Sequence, residues 1–315
     1  MFSYLVRRLL LGIPLLFVVS ILTFVTVALI PGDPAVRILG AGHSEAQYRA
    51  FDRKLGLDQS ILVQYGRWLD RVVVHGSLGT SLFSSQSVTS EIGQRLLVTV
   101  WLVVGATLLS LVVGVGLGLL SAGARGPGGR LVDVLSWLGF AIPNFWLGLI
   151  LVELLAVRAK LLPASGYVAF GSSPLGWLKS LILPVVTLAA VGATGIAKQT
   201  RDSMREVMGR EFVVALTVAG IPRRSVVFRH ALRNAAIPIV TSAGLFAVAM
   251  LGGTVLVEQI FVLPGLGSLA VQAATNHDLP TMEGVVVTFT LIVLALNLLI
   301  DLSYAWLNPR VRVGG

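Results

Sequence analysis

Long apolar stretches alternate with shorter polar ones along most of this 315-residue chain. Runs of about 17–25 residues that are nearly free of charge predict membrane-spanning helices, because hydrocarbon offers bare backbone N–H and C=O groups no partner. Such runs fall at Leu9–Ile30, Leu96–Ala124, Val134–Val157, Ser180–Ala197, Ala235–Val257 and Gly284–Ile300. The pattern therefore predicts an all-α polytopic membrane protein with six transmembrane helices, and residues 1–315 read as a single transmembrane domain. The second run is longer than a span needs. Pro143 and Pro184 fall inside the third and fourth runs and are expected to interrupt them. Arg7 and Arg8 precede the first run as in a secretory signal. That run is too long for a signal core, however, and no small-x-small cleavage site precedes Pro31, so a retained span is expected.

Between the spans, two segments are too long to be turns. Residues 31–95 are nearly charge-balanced and predict a small helical segment. Ser44-x-x-Gln47 has capping-box form ahead of one helix. Asp58 is placed to cap the next, with Gly76 to stop it, and Ile61, Leu62, Tyr65, Leu69 and Val72 recur at helical spacing. This segment reads as a cap on the spans or as a contact surface for an external partner.

The other segment, 198–234, is basic. Arg201–Ala219 predicts a helix, with Glu206 and Arg210 as an i,i+4 pair of favourable order. Gly220 supplies a cheap positive φ, and Pro222 suits the first turn of a new helix. The bend exposes a small apolar knob of Val214, Ala215, Val218 and Ile221, rimmed by Arg223 and Arg224. Composition leaves two readings open, an interface anchor with apolar centre and charged rim, or a membrane-surface hairpin held by anionic lipid.

Composition narrows the function classes. The chain is 55% hydrophobic and only 12% charged, with a net charge of +9; a soluble domain carries about 25% charged residues. Its basic residues sit at the ends of apolar runs, which suits cytoplasm-facing loops rather than a nucleic-acid patch. Arg7 and Arg8, Arg125 and Arg130, the eight Lys and Arg residues from Lys198 to Arg233, and Arg310 and Arg312 all fall on one side of a six-span topology. Both termini are thus expected in the cytoplasm, although Arg158, Lys160 and Lys179 land outside. With no cysteine, disulfides, thiolate metal sites and cysteine nucleophiles are excluded.

Other chemistry is sparse. Gly171 and Gly176 have P-loop spacing, but Trp177-Leu178 stands where phosphate binding needs Lys-Ser/Thr. His43, His75, His230 and His277 lack ligand spacing. Glu153, Glu258 and Asp301 lie near span ends, where interfacial placement is expected. No run carries an acid at its centre, which argues against a proton-coupled carrier. Gly114, Gly116 and Gly118 in the second run permit close helix approach, expected within the chain rather than to a second subunit.

Ordered blocks then carry a resemblance: "IPGDP" (Ile30–Pro34), "LGLD" (Leu55–Asp58) with "QY..WL" (Gln64–Leu69), "SLGTS" (Ser77–Ser81), "HALRNA" (His230–Ala235), "LGGTVLVEQIFVLPGLG" (Leu251–Gly267) and "DLPTMEG" (Asp278–Gly284). Together they resemble the B-type subunit of the dipeptide/oligopeptide/nickel family of ABC-importer permeases, from Arg7 to about Pro309. The basic segment resembles that group's "EAA" loop. Aligned on Gly220, the three EAA positions are Val214, Ala215 and Leu216, and the return falls on His230, Leu232 and Arg233. Ala215, Gly220 and Leu232 match; Val214 replaces the acid, and Arg233 a frequent proline.

The resemblance implies the type I importer permease architecture and a coupling helix that inserts into a cytoplasmic ATPase, carried by Glu211, Val214, Ala215, Val218, Gly220, Ile221, Arg223 and Arg224. It implies pore lining at Gly252, Gly253 and Thr254, with small residues leaving room for solute. For the loop of Glu258, Pro264, Gly265 and Gly267 it leaves open a contact with a binding protein, closure of the path, or a re-entrant packing turn. The implied partners are a second homologous permease forming a heterodimer, two cytoplasmic ABC ATPases, an extracytoplasmic solute-binding protein, the lipid bilayer and a peptide substrate; nucleic acid and cofactors are not expected. The implied location is the cytoplasmic membrane of a prokaryote. Nickel or glutathione as cargo, and a self-contained ion-coupled carrier, are the alternatives. An intramembrane hydrolase lacks any nucleophile–base pattern.

Overall fold

The apolar runs fold into long helices. The structure, a computed structural model, describes residues 2–29, 34–40, 42–123, 134 and 142–307. Expectations for residues 30–33, Arg125, Arg130, Arg310, Arg312 and the first half of the third run lie outside those residues. Among the described residues, five helices are long and apolar enough to cross a membrane. No strand occurs among them; the element order is wholly helical apart from one isolated bridge between Thr80 and Ser87.

The chain divides into two compact units. One comprises Phe2–Thr99 and Pro264–Leu294. It begins with α1 (Phe2–Ala28), the first predicted span, and a short α2 (Pro34–Leu39). Next is α3 (Glu45–Leu55), which starts on the expected capping box: the Gln47 N–H donates to Ser44 Oγ at 3.4 Å, and the Ser44 N–H donates to Gln47 Oε1 at 2.8 Å. Then α4 (Ile61–His75) ends at Gly76, whose φ of 60° allows the left-handed stop. Asp58 does not cap α4 as expected. Ser60 holds that position, with no side-chain cap bond, and Asp58 lies in the turn two residues earlier.

The second predicted span begins in this unit as α5 (Val88–Gly123). Val88 and Ile92 on its first turns pack with Leu266, Leu269 and Val285 in a buried cluster. Gly284 belongs to this contact, since a Cβ there would sit 2.5 Å from Val88 Cγ1.

The other unit comprises Val100–Leu263 and the chain from Ala295. Here α6 (Asn144–Leu151) continues through a wide π-helical stretch, Val152–Arg158. Pro143 interrupts the third predicted run as expected: Ile142 and Pro143 are not helical, and Pro143, extended at ψ 136°, stands at the N-cap of α6. The long α7 (Pro174–Met208) contains the fourth predicted span and continues past it. Pro184 lies buried inside α7 without ending it.

Close approach in this unit depends on glycine. A Cβ on Gly114 would meet the Ala193 carbonyl oxygen at 2.8 Å, and one on Gly118 the Ala197 carbonyl oxygen at 2.6 Å. Gly114 and Gly118 of α5 are therefore spent on packing against α7 within the chain, as expected, while a Cβ on Gly116 would face open space.

The remaining helices are α8 (Glu211–Val218), α9 (Leu232–Ile260), α10 (Leu266–Thr275) and α11 (Leu279–Leu307). The fifth and sixth predicted spans are α9 and α11. Packing of α9 on α7 is equally tight, for a Cβ on Gly195 would lie 2.1 Å from Phe246 Cζ.

Candidate functional site

The basic segment folds as a finger between α7 and α9. The expected continuous helix Arg201–Ala219 is broken: α7 stops at Met208 and α8 starts at Glu211. The Gly209 N–H still donates to the Arg205 and Glu206 carbonyls at 3.2 Å. Arg210 then turns extended, with φ −79° and ψ 148°, and serves as the N-cap of α8. Glycine is about 1 kcal/mol poorer than alanine inside a helix, and Glu211 favours a fresh N-terminus through its charge. The Glu206–Arg210 pair does form, at 2.6 Å. Both side chains are solvated, so the pair contributes only a few tenths of a kcal/mol.

The bend lies where expected. Gly220 has φ +78°, and its N–H donates to the Thr217 carbonyl at 3.1 Å while that of Ile221 reaches the Leu216 carbonyl at 3.1 Å. Pro222 follows as the cap of a single turn, Arg223–Ser225, one position before the expected first-turn place. The chain then widens into a π-helical stretch, Val226–Ala231, before α9. Such wide turns fit one extra residue per turn and recur at functional sites.

The finger has an inner and an outer face. Val213 is buried, and Phe212 and Val227 pack against a core of Ile196, Met204, Val207, Ala231 and Ala235. A cavity of about 430 Å³, lined by Gly123, Met208, Thr217, Ile221, Arg223 and Val226, lies at its root. On the outer face Val214 is 58% exposed and Val218 83% exposed. Glu211, Ala215, Gly220, Arg223 and Arg224 are exposed with them, while Ile221 is half-buried. Seven of the eight named residues thus share the accessible surface, and Ile221 supports it from inside. Fully burying one valine is worth about 1.5–3 kcal/mol, so Val214 and Val218 leave a substantial driving force for a partner unused.

The three small residues of α9 do not share a face. Gly252 is exposed, with no atom within 4 Å of a Cβ placed there. Gly253 would meet Leu188 at 3.3 Å. Thr254 is fully buried, and its hydroxyl donates to the Leu251 carbonyl at 2.8 Å. Two residues along a helix turn it by about 200°, which puts Gly252 and Thr254 on opposite sides.

Further along, Glu258 is buried near the end of α9, and its backbone carbonyl accepts from the Leu263 N–H at 2.9 Å. Asp301 is also buried, whereas Glu153 is exposed and pairs with Arg158 at 2.9 Å. Pro264 is exposed, but Gly265 and Gly267 are buried at the start of α10. The prominent residue of this loop is one that sequence reasoning passed over: Val262, 67% exposed with φ 51°. A β-branched residue rarely adopts that conformation.

A second omission is Asp278. The Ser81 hydroxyl donates to Asp278 Oδ2, the Leu82 N–H to Oδ1 at 3.1 Å, and the Thr281 hydroxyl to Oδ2 at 2.8 Å. This buried clasp joins "SLGTS" to "DLPTMEG". The legible part of its signal is Asp278 three residues before Thr281, a helix-cap spacing.

Comparison with known proteins adds independent findings. Residues 114–313 match the family model described as binding-protein-dependent transport system inner membrane component, and residues 1–103 match its N-terminal companion. A provisionally named peptide transport system permease protein of Brucella abortus is 39% identical over 313 residues, 99% of each chain. The oligopeptide transport system permease protein AppB of Bacillus subtilis is 35% identical, covering 99% of this chain and 100% of that one. The glutathione transport system permease protein GsiC of Salmonella typhimurium is 36% identical, covering 99% of each. In fold, the chain is similar to one in the inward-facing MetNI methionine ABC transporter: the TM-score is 0.55 at 17% identity, over 70% of this chain and 97% of that one.

Proposed function

This chain belongs to the family of binding-protein-dependent transport system inner membrane components, and we propose from that premise that it forms half of the translocation pathway of an ATP-driven importer for short peptides. The other half is a homologous permease. Two cytoplasmic ATPases supply the work, and an extracytoplasmic binding protein delivers solute. Both termini and the finger Glu211–Arg224 face the cytoplasm.

The observation that carries this reading is the finger. It presents apolar Val214 and Val218 beside Arg223 and Arg224, a surface suited to a protein groove: apolar centre, charged rim. Its inner face is rooted in the packed core against α7 and α9, so a push on the tip is delivered to helices that cross the membrane. Closure of two ATPases on bound nucleotide draws two such fingers together and opens the pathway outward; hydrolysis resets it. Gly252, exposed with free space around it, is the member of its trio suited to line the pathway, while Gly253 and Thr254 shape the helix behind it. The loop carrying Glu258, Pro264, Gly265 and Gly267 is the candidate outer contact, and Val262 and Pro264 are its accessible points.

Peptide as cargo is supported by the names of the Brucella and Bacillus relatives. Glutathione is the second reading, supported by the Salmonella relative at 36% identity; it is itself a tripeptide. The test is reconstitution of this chain with its second permease, ATPases and binding protein in liposomes. Uptake of a short peptide that requires ATP and every component supports the reading. Uptake without ATP, or tight stoichiometric ATP binding by this chain alone, overturns it.

A further inference from the structure

Helix α4 carries more apolar surface than the chain covers. Successive residues are about 100° apart around a helix, so Trp68, Val72 and Tyr65 fall within one sector of roughly 60°. That sector is packed. Trp68 is buried, Tyr65 stacks on it with ring centroids 5.9 Å apart, and Tyr65 meets Phe24 of α1 edge-on at 5.5 Å. The Tyr65 hydroxyl lies 2.9 Å from Ser20 Oγ of α1.

The apolar arc does not stop there. Leu69, Leu62 and Val73 extend it by roughly another 80°. Leu62 is 82% exposed and Val73 69% exposed. Arg67 and Arg71 project from the other side of the helix, the first beside Gly56 and the second beside Gly79.

The contact with α1 says what covers this surplus stripe. The apolar window of α1 is Leu10–Val27. Ser20 precedes its end by seven residues, which at 1.5 Å per residue is about 10 Å. One leaflet contributes about 15 Å of hydrocarbon. With α1 crossing a bilayer and Val27 at the hydrocarbon edge, the Tyr65 contact on α1 falls about 10 Å inside that edge. Beyond Ser20, Ile21, Leu22 and Val25 of α1 are themselves exposed and apolar, so the stripe on α4 is continuous in character with a lipid-facing surface.

We propose that α4 is an interfacial helix, seated in the leaflet where α1 ends, with Leu62, Leu69 and Val73 among the acyl chains and Arg67 and Arg71 toward the headgroups. Amphipathic helices of this kind bury their apolar face about 5–10 Å into the acyl boundary. The occupant of the stripe is lipid and not a protein partner. The proposal requires only that α1 crosses a bilayer; it is independent of the cargo and of the finger's role.

The chain has no cysteine, which makes site-specific labelling direct. Leu62→Cys, Val73→Cys and Arg67→Cys are each labelled with a fluorophore in the full chain and placed in phosphatidylethanolamine/phosphatidylglycerol liposomes. Doxyl-labelled lipid is expected to quench positions 62 and 73 several-fold more than position 67, and aqueous iodide the reverse. Equal iodide quenching at all three positions overturns the proposal, as does shielding of 62 and 73 that develops only when the extracytoplasmic binding protein is added. A second measurement needs no substitution. A phospholipid with a photoactivatable acyl chain, cross-linked to the unaltered chain and mapped by mass spectrometry, should mark Ile61–His75 on Leu62, Leu69 or Val73; marking of α1 with none on α4 contradicts the assignment.

Discussion

Replacing Gly220 separates the finger's bend from its charge. A Cβ at this position meets no atom within 4 Å, so packing contributes nothing to the cost of a side chain there. The whole penalty is conformational. At φ +78° an ordinary L-residue is strained by about 1–2 kcal/mol, and a β-branched one by at least that. Asparagine visits this region readily. Because about 1.4 kcal/mol is a tenfold change in an equilibrium, Gly220→Val should depopulate the bent finger by roughly that factor, while Gly220→Asn leaves most of it intact. Gly220→Asp has nearly the shape of asparagine but adds a negative charge beside Val218 and the contact surface. The assay is ATP-dependent peptide uptake by the reconstituted four-component transporter, with assembly followed by pull-down. The expected order is native and Asn highest, then Asp, with Val retaining at most about a tenth of native uptake. Equal uptake by the Val and Asn variants would refute the reasoning, since geometry at the bend would then have no bearing on coupling.

Gly195→Ala should lower stability by about 1–3 kcal/mol through overpacking, because the new Cβ would lie 2.1 Å from Phe246 Cζ; thermal unfolding in detergent reads the loss, and adding Phe246→Leu should recover part of it. Asp278→Ala removes the acceptor of four donors, from Ser81, Leu82 and, twice, Thr281, and should cost about 3 kcal/mol, whereas Thr281→Val, which loses one hydroxyl bond, should cost about 1; equal effects would show that the carboxylate is not the centre of the clasp. Val262→Gly should raise the unfolding temperature, the relieved strain being about 1–2 kcal/mol, because this side chain is 67% exposed and buries little. If the same variant lowers delivery of solute from the binding protein, the strain is part of the outer contact.

Much of the fold was legible because lipid imposes a simple rule on sequence. Charge-free runs marked α1, α5, α7, α9 and α11, but not their ends. Once a helix leaves hydrocarbon, polar residues continue it, and α7 runs on to Met208 although its apolar run stops near Ala197. Local signals worked where one residue type has one physical use: the Ser44–Gln47 capping box, and the positive φ at Gly76 and Gly220. They failed where choices compete. The Glu206–Arg210 pair argues for a continuous helix across Gly209, yet the chain breaks there, and Ser60 rather than Asp58 stands at the N-cap position of α4, without a side-chain bond. Adjacency also misled. Gly252 and Thr254 read as one small patch, but helical rotation sends them to opposite faces. The Asp278–Ser81 bond joins positions 197 residues apart, and no periodicity encodes such a pairing. The exposed Val214 and Val218, by contrast, could be read directly as apolar residues inside a basic segment that had no span to build.

Contact between the tip of the finger and an ATPase is the account's central claim, and one cross-link tests it. Val218, 83% exposed in a chain without cysteine, is replaced by cysteine and treated with a short thiol-to-amine cross-linker in inside-out vesicles containing the assembled transporter. The account predicts a covalent adduct between this chain and the ATPase subunit, formed from the cytoplasmic side and changed in yield by nucleotide. Labelling of Val218→Cys by an impermeant reagent applied outside intact cells, with no ATPase adduct from within, would contradict it.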